Sequence, residues 1–177
     1  MEENTDFHRR DGLIEALFEA VATGALTEVE RLLNDGGIEI ESENLERYTL
    51  LQLAVLHSQT AIVRVLLANG ASVEQAAQDG RTPLIIAAQN GHVPVATLLL
   101  KHGAKPDFLA PQHPFISLWE ACANRHPDFA RFLVEQGGDV DVKNHDGRTA
   151  LFCTAAAGNV ETTALLLEIG ANKKIQL

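Results

Sequence analysis

Aromatic residues are scarce in this chain of 177 residues: seven Phe, one Trp and one Tyr make up 5% of it. A core with so few rings has to be assembled from Leu, Val, Ile and Ala. Cysteine is nearly absent, and Cys122 and Cys153 are too few for a disulfide framework and lack the paired spacing of a zinc site. Apolar runs stay short, as in Val95-Ala-Thr-Leu-Leu-Leu100, far below the length of a membrane span. Basic residues are outnumbered 14 to 24, and no basic stripe relieves the formal charge of −10. Such a chain is poorly suited to grasp a phosphate backbone. Neither a nucleic-acid partner nor a membrane is expected. The opening residues, Met1-Glu-Glu-Asn-Thr-Asp6, lack the basic and apolar regions of a secretory signal. A cytoplasmic or nuclear protein with reduced thiols is the expectation.

Punctuation and repetition, by contrast, are abundant. The stretch Gly80-Arg-Thr-Pro-Leu-Ile-Ile-Ala-Ala-Gln-Asn-Gly-His92 returns at Gly147-Arg-Thr-Ala-Leu-Phe-Cys-Thr-Ala-Ala-Ala-Gly-Asn159. Weaker copies stand at Tyr48-Thr-Leu-Leu-Gln-Leu-Ala-Val-Leu-His57 and Ile116-Ser-Leu-Trp-Glu-Ala-Cys-Ala-Asn-Arg-His126. The endings Leu66-Leu-Ala-Asn-Gly-Ala71, Leu99-Leu-Lys-His-Gly-Ala104, Leu133-Val-Glu-Gln-Gly-Gly138 and Leu166-Leu-Glu-Ile-Gly-Ala171 follow at intervals of 33, 34 and 33 residues. Leu32-Leu-Asn-Asp-Gly-Gly37 precedes them. One-residue insertions fall near Gly36–Glu39 and between Asp107 and Pro114, where loops absorb them at small cost.

Each unit reads as two short helices. Pro83 suits a first helical turn, with Thr82 and Thr149 able to cap free amides. Gly91 and Gly158 end the first helix; Gly70, Gly103 and Gly170 end the second. Helices of about ten residues are unstable alone in water, so neighbouring units must cover one another's apolar faces. Ala54, Ala87 and Ala121 are small where the first helices of successive units meet, and Thr154 takes that place in the last unit.

Thr82-Pro-Leu-Ile-Ile-Ala-Ala88 and the Leu-Leu-x-x-Gly-Ala endings resemble the ankyrin-repeat family, over more than nine-tenths of the chain. The resemblance implies an all-α fold, an α-solenoid of five repeats, each a helix-turn-helix plus a β-turn. The approximate repeats are 13–43, 44–76, 77–110, 111–143 and 144–177, forming one domain over 13–177. An acidic segment, 1–12, precedes it and is expected to fray.

The resemblance further implies that a partner protein or peptide docks on a concave side lined by turn tips and first helices. The positions that vary on the repeated frame mark candidate contacts. They are Leu45, Glu46, Tyr48 and His57 in the second unit, Gln78, Asp79, Arg81 and Asn90 in the third, His113, Phe115 and Asn124 in the fourth, and His145 and Arg148 in the fifth. Tyr48, Arg81, Phe115 and Arg148 share one turn position and form a row of residue types that often dominate binding energy. Residues 1–50 carry 13 acidic against 4 basic residues. Glu39, Glu41, Glu43 and Glu46 form a cluster able to steer a basic partner segment, although a solvated face is the plainer reading.

Catalytic chemistry finds little support. His92 and His126 follow the inter-helix break, where the family's His braces the loop, and His102 sits beside a helix end. Cys122 and Cys153 fit small buried slots with no base to activate them. Asp139 and Asp141 follow the repeat frame and do not form a dyad. Trp119 shares a slot with Ile85, Phe152 and Phe18 and is read as packing. No cofactor, metal or enzyme activity is expected, and a monomer is. Two rival readings stay open: a regulatory domain cut from a larger protein, and a groove near Phe115 and Trp119 that binds or transforms a small molecule.

Overall fold

A computed structural model describes the backbone of residues 2–35, 38–107 and 116–174, and side chains from residue 12 onward. Its described residues hold ten helices in five consecutive pairs: α1 (Glu2–Thr23) with α2 (Leu26–Asn34), α3 (Leu50–Leu56) with α4 (Thr60–Ala68), α5 (Pro83–Gln89) with α6 (Val93–Lys101), α7 (Ser117–Ala123) with α8 (Pro127–Glu135), and α9 (Ala150–Ala156) with α10 (Val160–Glu168). Each odd helix packs on its own partner and on the next odd helix, so the stack itself is the core.

Capping explains where the inner helices start. Thr49, Thr82 and Thr149 are extended N-caps whose hydroxyls accept from the amides of Gln52, Ile85 and Phe152. At α3 the Gln52 side chain returns the favour to the Thr49 amide at 2.8 Å, completing a capping box. Ile116 stands at the N-cap of α7 and makes no side-chain cap. The outer helices α4, α6, α8 and α10 end where Gly70, Gly103, Gly137 and Gly170 turn left-handed. At α4 this lets Gly70 and Ala71 donate to the carbonyls of Leu67 and Leu66, both at 3.1 Å.

Small residues set the spacing between repeats. Ala54, Ala87 and Ala121 are fully buried on successive inner helices, in one core cluster with Leu50, Ile86, Ile116 and Leu66. Thr154, in the same slot of α9, is also buried and directs its hydroxyl to Leu151 O at 3.2 Å.

The helix of the first unit starts earlier than the repeat frame suggests. Where fraying over 1–12 is the sequence expectation, the backbone is helical from Glu2 and runs into the first repeat without a break. No proline interrupts residues 2–23, so nothing in the covalent chain forces a boundary at Leu13. The insertions near Gly36 and between Asp107 and Pro114 lie largely outside the described residues. No helix among the described residues is long and apolar enough to cross a membrane.

Candidate functional site: turn tips and inner-helix ends

Two of the described turn tips are built by the same device. In the second unit Asn44 N–H donates to Tyr48 O at 3.0 Å, and Asn44 Oδ1 accepts from the amides of Glu46 and Tyr48. Asn144 repeats this in the fifth unit with Asp146 and Arg148. In the third unit Ala77 holds the Asn position and Asp79 Oδ1 takes over the Arg81 amide at 3.0 Å. Asn and Asp side chains suit this work because they accept from amides a few residues on. The tips are therefore fixed platforms.

Tyr48 and Arg81 are brought together, and not as two free side chains. Tyr48 is half-buried against the core; its hydroxyl accepts from the Arg81 guanidinium, whose carbon lies 5.7 Å from the ring centroid. Arg81 also pairs with Asp79 Oδ2 at 2.7 Å and donates to Gln89 Oε1 at 2.8 Å. Gln89 then donates to Glu120 Oε2 at 3.0 Å, which also accepts from Asn124 Nδ2 at 3.2 Å. A continuous polar line thus crosses three repeats. The sequence marks Tyr48 as a candidate contact; the structure half-buries it because the neighbouring turn supplies a guanidinium to stack on.

The remaining candidates are more open. Leu45 and Glu46 are exposed on the second tip, and Gln78 and Asp79 on the third. Glu46, Tyr48, Ala77, Gln78 and Asp79 line a shallow hollow of about 260 Å³ between the two tips. His57 and Asn90 are the C-caps of α3 and α5, Asn124 is that of α7, and His145 is exposed on the fifth tip. Arg148 lies over the Phe152 ring of its own repeat, 5.6 Å from the centroid. His113 and Phe115 lie outside the described residues.

Part of the acidic cluster serves the fold. Glu41 Oε1 accepts from the Ser72 amide at 2.6 Å, and Glu43 pairs with Arg47 at 2.8 Å. The first contact opens a ladder: Glu74 accepts from Lys105 N–H at 2.8 Å, Asp107 from Asp139 N–H at 3.1 Å, and Asp141 from Asn172 N–H at 2.9 Å. Each carboxylate of one repeat thus receives the amide just beyond the second-helix turn of the next. Burial raises the Glu74 and Asp107 carboxyls above the ordinary range, more strongly than the amides lower them. Asp139 and Asp141 act in this frame.

The imidazoles have structural partners too. His126 Nε2 lies 2.9 Å from Gln89 O, and Ser58 Oγ contacts the His92 ring. Burial lowers the His92 pKa, the Val55 carbonyl opposes that, and His126 adds a smaller lowering. Burial pushes the Cys122 thiol up to about 12, so it carries almost no thiolate at neutral pH.

Sequence reasoning passed over Gln52, Glu120 and Arg125. Gln52 had a legible signal, the Thr49-x-x-Gln52 spacing. Glu120, an acid within the apolar run Leu118-Trp-Glu-Ala-Cys122, had one as well. Arg125 stands where Gly91 and Gly158 stand in other units.

Comparison with known proteins agrees with this architecture. The family described as "Ankyrin repeats (3 copies)" matches residues 17–109 and 116–176. The chain is 37% identical over 127 residues to the ankyrin repeat and KH domain-containing protein mask-1 of Caenorhabditis elegans, covering 71% of this chain and 5% of that protein. It is 31% identical over 157 residues to the ankyrin repeat protein nuc-2 of Neurospora crassa, covering 86% of this chain and 14% of the relative. A putative palmitoyltransferase, ZDHHC13 of Danio rerio, is 25% identical over 205 residues, covering 96% of this chain and 32% of that protein. The chain therefore spans no more than about a third of any of these three relatives.

Proposed function

This chain belongs to the ankyrin-repeat family, whose repeats generally serve as protein-interaction modules, and we propose that it is a non-catalytic recognition module for a partner protein or peptide. The observation that carries the reading is the pair of turn tips in repeats two and three. Leu45, a fully exposed large apolar residue, stands on a tip fastened by Asn44, next to the hollow flanked by Glu46 and Asp79. Rigid presentation of an apolar group beside carboxylates suits a partner segment with an apolar side chain and a Lys or Arg next to it, since little ordering entropy remains to be lost on this side. Tyr48 lines the hollow and is held by the Arg81 guanidinium.

The same residues favour recognition over catalysis. The groups that would attract a mechanistic reading, His126, Asp107, Asp141 and Cys122, are each engaged in holding one repeat to the next or are sealed in the core. We place the module in the cytoplasm or nucleus, in keeping with two free thiols, and acting as a monomer. The test is affinity capture with the parent and with a Leu45→Ala/Glu46→Lys variant, alongside thermal unfolding of both. Loss of a captured protein at unchanged stability supports the reading; identical captured sets overturn it. A second reading is favoured by the small share of each relative that the chain covers: the module is the recognition part of a longer polypeptide. Mass analysis of the native protein tests it.

A further inference from the structure

At two inner-helix junctions a matched pair of aligned positions carries long side chains, and at the last it does not. Between α3 and α5 the aligned positions hold Leu56 and Ile86; between α5 and α7 they hold Gln89 and Glu120, joined at 3.0 Å. Between α7 and α9 the same two positions hold Ala123 and Cys153. The truncation leaves a cleft of about 200 Å³, lined by these two residues with Trp119, Cys122, Ala150 and Arg125. That volume is smaller than pockets for drug-sized molecules, and an apolar cavity of about 150 Å³ holds a single benzene ring. It matches one bulky side chain.

Arg125 gives the cleft its polarity. It is exposed at the cleft, and among the described residues its guanidinium makes no hydrogen bond or ion pair. It is also held at φ 61, where Gly91 and Gly158 occupy the corresponding turns at φ 69 and 68. A long cation is thus kept at a glycine position, against backbone preference, beside an unfilled space that is mostly apolar, with Thr154 and Asn159 at its edge.

We propose that the α7–α9 cleft takes one apolar side chain of a partner peptide whose adjacent Asp or Glu pairs with Arg125. This rests on the reading of the chain as a protein-recognition module and adds a second, oppositely charged contact to it. The acidic tips of repeats two and three would meet a basic part of the partner, and repeats four and five an apolar–acidic part. The pairing with Arg125 then sets the direction in which the segment lies along the stack.

A displayed library of random linear peptides, selected on the full chain, supplies the probe. Enriched peptides should carry Leu, Ile, Met or Phe next to Asp or Glu. Their binding should shift the emission of Trp119, the only tryptophan, and slow alkylation of Cys153 by iodoacetamide. Two variants test the site. Ala123→Gln/Cys153→Glu transplants the bridge of the preceding junction into the cleft, and Arg125→Gly removes the cation while relieving the backbone. Each should weaken binding about tenfold or more, the scale of losing a central contact, with no loss of thermal stability for Arg125→Gly. Replacing the peptide acid by Gln should weaken binding to the parent and have no further effect on Arg125→Gly.

Binding unchanged in both variants, an unaltered Trp119 emission, or selection yielding no peptide with the motif overturns the proposal. Peptides lost on Leu45→Ala/Glu46→Lys but indifferent to the cleft variants would uphold the turn-tip reading and sink this one; the converse would do the opposite. Leu45-Glu46 of a second copy has the same chemistry, so concentration-dependent dimers abolished by Arg125→Gly would likewise replace the peptide with self-association.

Discussion

His126 reaches back one repeat: its Nε2 lies 2.9 Å from the carbonyl oxygen of Gln89, and its ring covers Gly91 so closely that a Cβ built there would meet Nδ1 at 2.6 Å. Asn159 makes the corresponding reach to Cys122 O, at 3.4 Å. In the fourth and fifth units the residue after the inter-helix turn therefore ties its own repeat to the one before. At Gln89 the tie satisfies a helix-end carbonyl that receives no backbone amide, and at Cys122 it adds to the Arg125 amide already there.

Gly91 and Gly158 separate two costs as a result. Both turns are left-handed, so an alanine at either loses roughly 1–2 kcal/mol to backbone sterics. At Gly158 nothing lies within 4 Å of the added carbon; at Gly91 the His126 ring must move and its bond to Gln89 is at risk. Gly91→Ala should be the more destabilising by about 1 kcal/mol, the usual worth of one hydrogen bond. Urea unfolding of the two variants checks this, and equal losses would mean that the ring yields freely.

Arg47, Ser58 and Arg125 adopt positive φ without being glycine. Arg47 has Glu43 and Ser58 has His92 to lose, whereas Arg125 makes no such contact among the described residues. Arg125→Gly should stabilise by about 0.5–1 kcal/mol, the left-handed strain less the entropy of glycine. Ser58→Gly and Arg47→Gly should gain less. Thermal denaturation orders the three, and a destabilised Arg125→Gly would reveal a contact made by its side chain.

Much of the fold was legible because a solenoid writes its geometry into its period. Thr82 and Thr149 cap where their spacing places them, and Ala54, Ala87 and Ala121 are buried together because they fall on one helix face. The site was less legible. Whether Tyr48 is exposed depends on what the next turn offers it, and that is a fact about register between repeats. The bridge Gln89–Glu120 and the unfilled pair Ala123–Cys153 appear only when residues 31 and 30 apart in sequence are laid across a junction. A single repeat shows neither.

The carboxylate ladder makes a prediction about pH. Glu74 accepts the Lys105 amide, yet burial raises its pKa above the ordinary 4.5. A carboxyl whose folded pKa is raised binds its proton more tightly when folded. Its favourable contribution is complete below the unfolded value and is lost as pH rises through the folded one. Glu74→Gln keeps an acceptor without the charge, so it should be neutral or stabilising at pH 7, with its advantage shrinking as pH falls toward 4.5 and gone below it. Glu74→Ala strands the Lys105 amide and should cost about 1 kcal/mol at either pH. Urea titrations at the two pH values decide it; a Gln variant weaker than the parent at pH 7 would show that the charge itself strengthens the ladder.

Glu120 is the place where the polar line is most exposed to disruption, because its carboxylate is buried and depends on Gln89 and Asn124 for donors. Removing Gln89 leaves one donor and also frees the Arg81 guanidinium from one of its partners. Gln89→Ala should therefore cost about 1–3 kcal/mol, the penalty of under-satisfying a buried polar group. Glu120→Gln should be milder, since an amide oxygen still accepts from both neighbours. If the line acts as a unit, Tyr48→Phe and Gln89→Ala will not add, for both loosen the same guanidinium; a double-mutant cycle should show about 0.5–1.5 kcal/mol of coupling. Strict additivity would mean that Arg81 is held by Asp79 alone, and that the third tip is independent of the repeats on either side.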